Sequence, residues 1–203
     1  MLVLASASPR RRELLAQAGF TFGIEPASIS EDLRPDENAF AYVTRVAREK
    51  GEFVYSRLAG QNGEGLIVLG ADTSVVAPTG EILAKPENEA DAKRMLRLLA
   101  GGTHQVMTGV ALVSAQGTET AVEVTHVSMV TLSDAEIAAY VATGEPMDKA
   151  GGYGIQGYAG RWIPRIQGCY FNVMGLPLAL VSAMVEGLLK RGERAALASI
   201  SSK

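Results

Sequence analysis

A chain of 203 residues, 47% of them hydrophobic, can bury a real core and is too apolar for disorder. A formal net charge of −3 and a pI near 5.5 exclude a general nucleic-acid or membrane-surface binder, so any anion site must be local. A single cysteine, Cys169, excludes an internal disulfide framework, and two widely separated histidines, His104 and His126, show no zinc-ligand spacing.

Met1 to Leu4 is an apolar run of strand length. Ser8 is a good N-cap, Pro9 fits the first helical position where its missing N–H costs nothing, and Gly19 supplies the stop. Between strand and helix, Ala5, Ser6 and Ala7 are small enough for a ligand to reach the backbone. Arg10, Arg11 and Arg12 add positive charge at the helix N-terminus, a design suited to phosphate. On these residues alone, a solvated basic helix face is the competing reading.

Phe20 to Glu25 reads as a second strand, followed by the acidic loop Glu31 to Glu37 and a long helix from Asn38 to Leu58. The apolar stripe Val43, Ala47, Val54, Leu58 carries Lys50 on its face, so this lysine either snorkels to water or reaches an anion in a cleft. Gly60 to Gly65 is a turn-rich linker. Leu66 to Leu69 is continuously apolar, as expected of a central strand covered on both faces, and it places Asp72 at its C-terminal end, where open α/β sheets bind ligands. A turn-forming or capping aspartate is the alternative.

Pro78-Thr79-Gly80 predicts a hairpin turn into Glu81 to Leu83, which Lys85-Pro86 terminates. Asn88 caps a helix with Ala92, Met95, Leu96 and Leu99 at amphipathic spacing, ending at Gly101-Gly102. Val106 to Ser114 and Thr120 to Val130 form an antiparallel hairpin through Gln116-Gly117, with His104 and His126 as structural residues. Ser133 and Glu136 make a capping box for a helix carrying Ile137, Tyr140 and Val141, stopped by Gly144. The stretch Gly144 to Gly157 is too polar and glycine-rich for a core element. Gly152, Gly154 and Gly157 match the dinucleotide-binding spacing, but no hydrophobic strand precedes them. A binding loop projecting Asp148, Lys149 and Gln156 into a cleft is the better reading. Trp162 to Ile166 and Tyr170 to Val173 read as strands, Leu178 to Lys190 as the last helix, and 192–203 as a frayed tail.

The polar residues form one chemically consistent set: an anion pocket at Ser6 to Arg11, inward lysines at Lys50 and Lys85, carboxylates at Glu31 and Asp72, and a polar loop ending in Gln156. Such a set suits a metal-bound polyphosphate. Two carboxylates can hold Mg²⁺ and orient a water while arginine and lysine offset charge on the departing phosphate. No serine elbow or P-loop sequence is present, which leaves hydrolysis by an activated water as the simplest chemistry.

Leu4 to Arg11, Gly70-Ala-Asp-Thr73, Lys85-Pro86, Thr103 to Gly109, Asp148 to Gly157 and Gly175 to Leu178, taken in that order, closely resemble the Maf family over nearly the whole chain. The resemblance implies one α/β domain, 1–203: a two-lobed structure around a long twisted mixed β-sheet flanked by helices, related to inosine triphosphate pyrophosphatases. It implies a cytoplasmic homodimer that acts on neither nucleic acid nor membrane. The implied activity is hydrolysis of a nucleoside triphosphate to the monophosphate and pyrophosphate, with a divalent cation, Mg²⁺ or Mn²⁺.

By position, Asp72 matches the family's proton acceptor and Glu31 another active-site position; the reading of the two carboxylates as metal ligands comes from their chemistry. Ser6, Arg11, Lys50 and Lys85 match other active-site positions. Arg10, Thr73 and Gln156 match the residues that separate a dTTP/UTP branch from a 7-methyl-GTP branch, and all three follow the first pattern. An amide such as Gln156 can both donate to and accept from a uracil or thymine edge. Cys169 departs from the expected serine and reads as a small buried residue. The alternatives are the 7-methyl-GTP activity, broader house-cleaning of non-standard nucleotides, and a non-catalytic nucleotide-binding regulator of cell division.

Overall fold

A computed structural model describes residues 1–62 and 65–201. Seven strands form one mixed sheet: β1 (Leu2–Leu4), β2 (Phe22–Ile24), β3 (Ile67–Val76), β4 (Ile82–Leu83), β5 (Thr103–Ser114), β6 (Gly117–Ser128) and β7 (Arg165–Gln167). Their order is β2-β1-β3-β5-β6-β7, with β4 also on β3. β1 runs parallel to β2 and β3, and every other pairing is antiparallel. The helices flanking it are α1 (Pro9–Gln17), α2 (Ala39–Asn62), α3 (Glu89–Leu99), α4 (Asp134–Val141), α5 (Tyr170–Met174) and α6 (Leu178–Ser201). No helix of the described residues is long and apolar enough to cross a membrane.

The capping signals act as their chemistry dictates. Ser8 accepts from the Arg11 N–H, Asn88 from the Asp91 N–H, and Ser133 with Glu136 forms a complete capping box. The core lies in three clusters. Leu4, Leu14, Leu15, Leu69, Leu112 and Val181 unite the sheet with α1 and α6. Val3, Ala5, Val54 and Val68 pack at α2. Leu96, Leu99, Ile137, Tyr140 and Trp162 join α3 and α4 beyond β5.

β3 organises the molecule. One of its edges pairs with β5 from Val68 to Val76. The other is shared: β1 takes Ile67 to Leu69 and β4 takes Val75 and Val76, leaving Gly70 to Ser74 without a strand partner there. A cleft opens at that gap. α2 lies on the sheet beside it at unusually short range, because Gly70 and Gly109 carry no side chain: a Cβ on either would overlap the carbonyl oxygen of Ala47 or Val43.

The sequence reading departs from the structure in several places. β3 does not stop near Asp72; the strand continues to Val76 because β5 pairs with it, so Asp72 sits mid-strand, three residues past the Leu69 that pairs with the end of β1. α2 runs past Leu58 through Gly60 to Asn62, while 63–64 of the expected linker lie outside the described residues. Of the strand expected from Trp162 to Ile166 only the end is extended, as part of β7, while Trp162 closes a 3₁₀ turn that begins at Tyr158; Tyr170–Met174 is a helix where a strand is expected from the aromatic and β-branched composition. The α5 segment buries one side chain, Asn172, and ends on Gly175 at φ 110°, so local composition is overruled by the turn that follows. Cys169 is half-buried rather than buried. The last helix is continuous to Ser201, and 202–203 of the expected tail lie outside the described residues.

Candidate active site

The unpaired stretch of β3 projects alternate residues to opposite faces of the sheet, Asp72 toward α2 and Thr73 away from it. On the α2 face, Lys50 Nζ donates to Asp72 Oδ1 at 2.9 Å and lies 2.8 Å from Glu31 Oε2. Lys50 and Asp72 are both buried, whereas Glu31 is half in solvent. Lys50 therefore reaches an anion rather than snorkelling: its ammonium holds two carboxylates from different segments in one place. Burial raises the Asp72 carboxyl above its ordinary value, opposed by the charges of Lys50 and Arg11. Asp72 Oδ2 has no protein partner among the described residues.

Glu31 reaches this point because its loop is clamped to α2. Arg45 donates to both Glu37 oxygens, at 2.6 and 2.7 Å, to Glu49 at 3.0 Å and to the Asp32 carbonyl at 3.0 Å. This bidentate pair holds the Glu37 carboxyl down at about 2. Tyr42 donates to the Glu31 carbonyl at 2.8 Å, and its phenol is pushed up to about 12 by burial and the neighbouring Asp72 and Glu31 carboxylates. The sequence reading missed Arg45, Glu37 and Tyr42; the Arg45/Glu49 spacing on one helix face is the signal that was available.

The three arginines of α1 have three fates. Arg12 is exposed. Arg11 is buried and spends four of its five N–H groups on the protein: Nε to the Gly175 carbonyl (2.8 Å), one terminal nitrogen to Ala71 O (2.8 Å) and Ser6 Oγ (3.3 Å), the other to Thr73 Oγ1 (3.0 Å). It thereby fills the edge of β3 that no strand pairs. Burial lowers its pKa, against the raising effect of Asp72 and Glu31. Ser6 Oγ accepts from this guanidinium and from the Ser8 N–H at 3.2 Å, so its own proton is free to donate into the cleft. Thr73 Oγ1 is 2.9 Å from Thr108 Oγ1, and its hydroxyl thus faces the protein network.

Arg10, half-buried, donates to Asp148 Oδ2 at 3.0 Å and to the Asp148 carbonyl at 3.3 Å. Asp148 also receives Lys149 Nζ at 2.6 Å, so neither basic side chain stands free. Lys85, expected to point inward, is exposed and makes no ion pair among the described residues, because it follows β4 on the open rim of the gap. Gln156 is likewise exposed. The glycine-rich loop that carries it is partly core after all. Gly151 N–H donates to the Ala84 carbonyl at 3.1 Å, and Tyr153 is buried with its hydroxyl 2.7 Å from His104 Nε2. The His104 ring, lowered to about 4 by burial, is thus the anchor behind the loop.

Glu31, Lys50 and Asp72 are therefore brought together, with Ser6 and Arg11 beside the same gap. Among the described residues no hydrogen bond or ion pair joins Arg10, Thr73 and Gln156 to one another. Among the described residues no group of three His, Cys, Asp or Glu could hold a metal unaided. Asp72 and Glu31 are gathered on the Lys50 ammonium through one oxygen each, and their second oxygens fit a hard cation whose remaining ligands are phosphate oxygens and water.

The sequence matches the family described as Maf-like protein over residues 1–188. A Colwellia psychrerythraea protein named dTTP/UTP pyrophosphatase is 50% identical over 177 residues, 87% of this chain and 83% of its own length. A Koribacter versatilis protein of the same name is 48% identical over 184 residues, covering 91% and 92%. Among solved structures, a nucleoside-triphosphatase / dITP/XTP pyrophosphatase from Mycobacterium abscessus aligns over 96% of both chains at 15% identity with a TM-score of 0.42, a level that carries no argument about this chain.

Proposed function

The chain belongs to the Maf family, and on that premise we propose that it is a nucleoside triphosphate pyrophosphatase acting on dTTP and UTP. The observation that carries this reading is the Lys50-centred meeting of Asp72 and Glu31 in the gap of β3. A buried, raised-pKa carboxylate with one oxygen held by a lysine and the other unclaimed is suited to orient a water and take its proton. The water attacks the α-phosphorus, the bond from that phosphorus to the bridging α–β oxygen breaks, and pyrophosphate leaves with the electron pair.

Asp72 and Glu31 would hold a divalent cation, Mg²⁺ with Mn²⁺ as the second choice. When bound, such an ion supplies charge neutralisation of the polyphosphate. Lys50 keeps the two carboxylates registered, and the Ser6 hydroxyl donates to a phosphate oxygen. Arg11 acts on the substrate chiefly by fixing Ser6 and the β3 edge. Lys85, with no carboxylate partner among the described residues, meets the polyphosphate from the rim. Arg10 and Gln156 select the base, Gln156 by offering donor and acceptor to a pyrimidine edge. The protein works as a cytoplasmic homodimer.

Incubation with Mg²⁺ and a panel of nucleotides tests the reading. Equimolar monophosphate and pyrophosphate from dTTP and UTP are expected. Release of orthophosphate, preference for 7-methyl-GTP, or nucleotide binding without turnover would refute it.

A further inference from the structure

Gln156 sits on an exposed loop, and an exposed amide selects a base only if its backbone is held. The support comes from one carboxylate behind it. Glu145 Oε1 accepts from the Tyr140 hydroxyl at 3.0 Å, and Oε2 accepts from the Tyr158 backbone N–H at 3.2 Å. The next residue on the loop, Gly157, presses its backbone against the same carboxylate, so that a Cβ there would overlap Oε1. The Glu145 carbonyl in turn accepts from Lys149 Nζ at 2.6 Å, closing the loop's first turn. Tyr140 itself is fully buried, stacked on Tyr158 with centroids 5.7 Å apart and set edge-on to Trp162 at 5.2 Å. The carboxylate thus joins a rigid aromatic block to the two residues that follow Gln156.

We propose that Glu145 is a positioning residue for base selection: it fixes the Gln156-Gly157-Tyr158 backbone, and with it the direction in which the Gln156 amide points. The inference rests on the reading of Gln156 as the base-contacting residue. Nothing in the arrangement reaches Asp72 or Lys50, so base discrimination and chemistry are served by separate supports. A glutamine at 145 preserves volume but removes the charge: the tyrosine hydroxyl must turn to accept from the amide N–H, and the Tyr158 N–H is left with a neutral acceptor, so both holds weaken.

The test measures kcat and KM for UTP, dTTP and CTP with Mg²⁺ in the full chain carrying Glu145→Gln, Gly157→Ala, both together, or Gln156→Ala. Glu145→Gln is expected to raise KM for UTP about tenfold and to lower the UTP:CTP ratio of kcat/KM by a similar factor, with kcat for UTP within about threefold of wild type. Gly157→Ala, which displaces the carboxylate from the other side, should reproduce that pattern. The double variant should be no worse than the more affected single one, as expected of residues acting as a unit. A wild-type UTP:CTP ratio in Glu145→Gln, beside a lowered ratio in Gln156→Ala, overturns the positioning role and leaves Gln156 as base reader. An unchanged ratio in Gln156→Ala overturns both. Should Glu145→Gln fail to fold, Gly157→Ala decides alone: a loss in kcat with the ratio intact refutes the proposal.

Discussion

The two ends of the cleft are built on opposite principles. At the end proposed to take the phosphates, Lys50, Asp72 and Arg11 are buried and lie on the central strand or the helices packed against the sheet, Lys50 held by Asp72 and Arg11 by the Ala71 and Gly175 carbonyls. At the end proposed to take the base, Gln156 and Asp148 are exposed and Arg10 half-exposed, on a short helix and a loop whose stiffness comes from behind. On the proposed function, the difference follows from what each end must do. Charge that assists bond cleavage gains from low dielectric and fixed geometry. Base selection needs polar groups able to reach a ligand from water, and such groups can be precise only if the backbone under them is anchored by His104–Tyr153 and Glu145.

Four experiments press on that contrast. Asp72→Asn keeps the Lys50 contact but removes the base, so kcat for UTP should fall about 10³–10⁴-fold, with nucleotide affinity measured by calorimetry little changed. Lys50→Met removes the ammonium that holds Asp72 and Glu31 together. kcat/KM should drop about 10²-fold. The acid limb of the pH–rate profile should move to higher pH, because Asp72, already raised by burial, loses the neighbour that lowers it.

His104→Gln probes the anchor through stability. The folded ring is lowered to about 4 from an ordinary 6.5, so below pH 6.5 the unfolded chain takes up a proton that the folded chain refuses. Stability is unaffected above pH 6.5 and falls as the pH drops from 6.5 toward 4, at up to about 1.4 kcal/mol per unit. In the variant, denaturant titrations across that window should show a shallower decline. The smallest effect on stability belongs to Arg10→Ala and Asp148→Ala. Their mostly solvated ion pair is worth less than about 1 kcal/mol, yet Arg10→Ala should shift the preference among UTP, dTTP and 7-methyl-GTP. A large stability loss there would break the contrast between the two ends.

Much was legible in the chain itself. Caps, stops and periodicity placed most elements, since Ser8, Asn88, Ser133 and Gly144 act through hydrogen bonds and backbone angles within a few residues. The inward Lys50 could be read from its place on an apolar stripe, and Asp72 from its strand. What the sequence could not decide depends on pairings across the sheet and between distant segments. Asp72 owes its pocket to the share-out of one β3 edge between β1 and β4, and to two glycines that let α2 settle onto the sheet. Arg11 reads as a phosphate ligand from its neighbours, and the fold adds that its guanidinium meets backbone carbonyls 60 and 164 residues away. Local signals fix local conformation because their partners are near in sequence. The assignment of a charged side chain to substrate or to protein is fixed only when the tertiary fold brings the competing partners within hydrogen-bond reach.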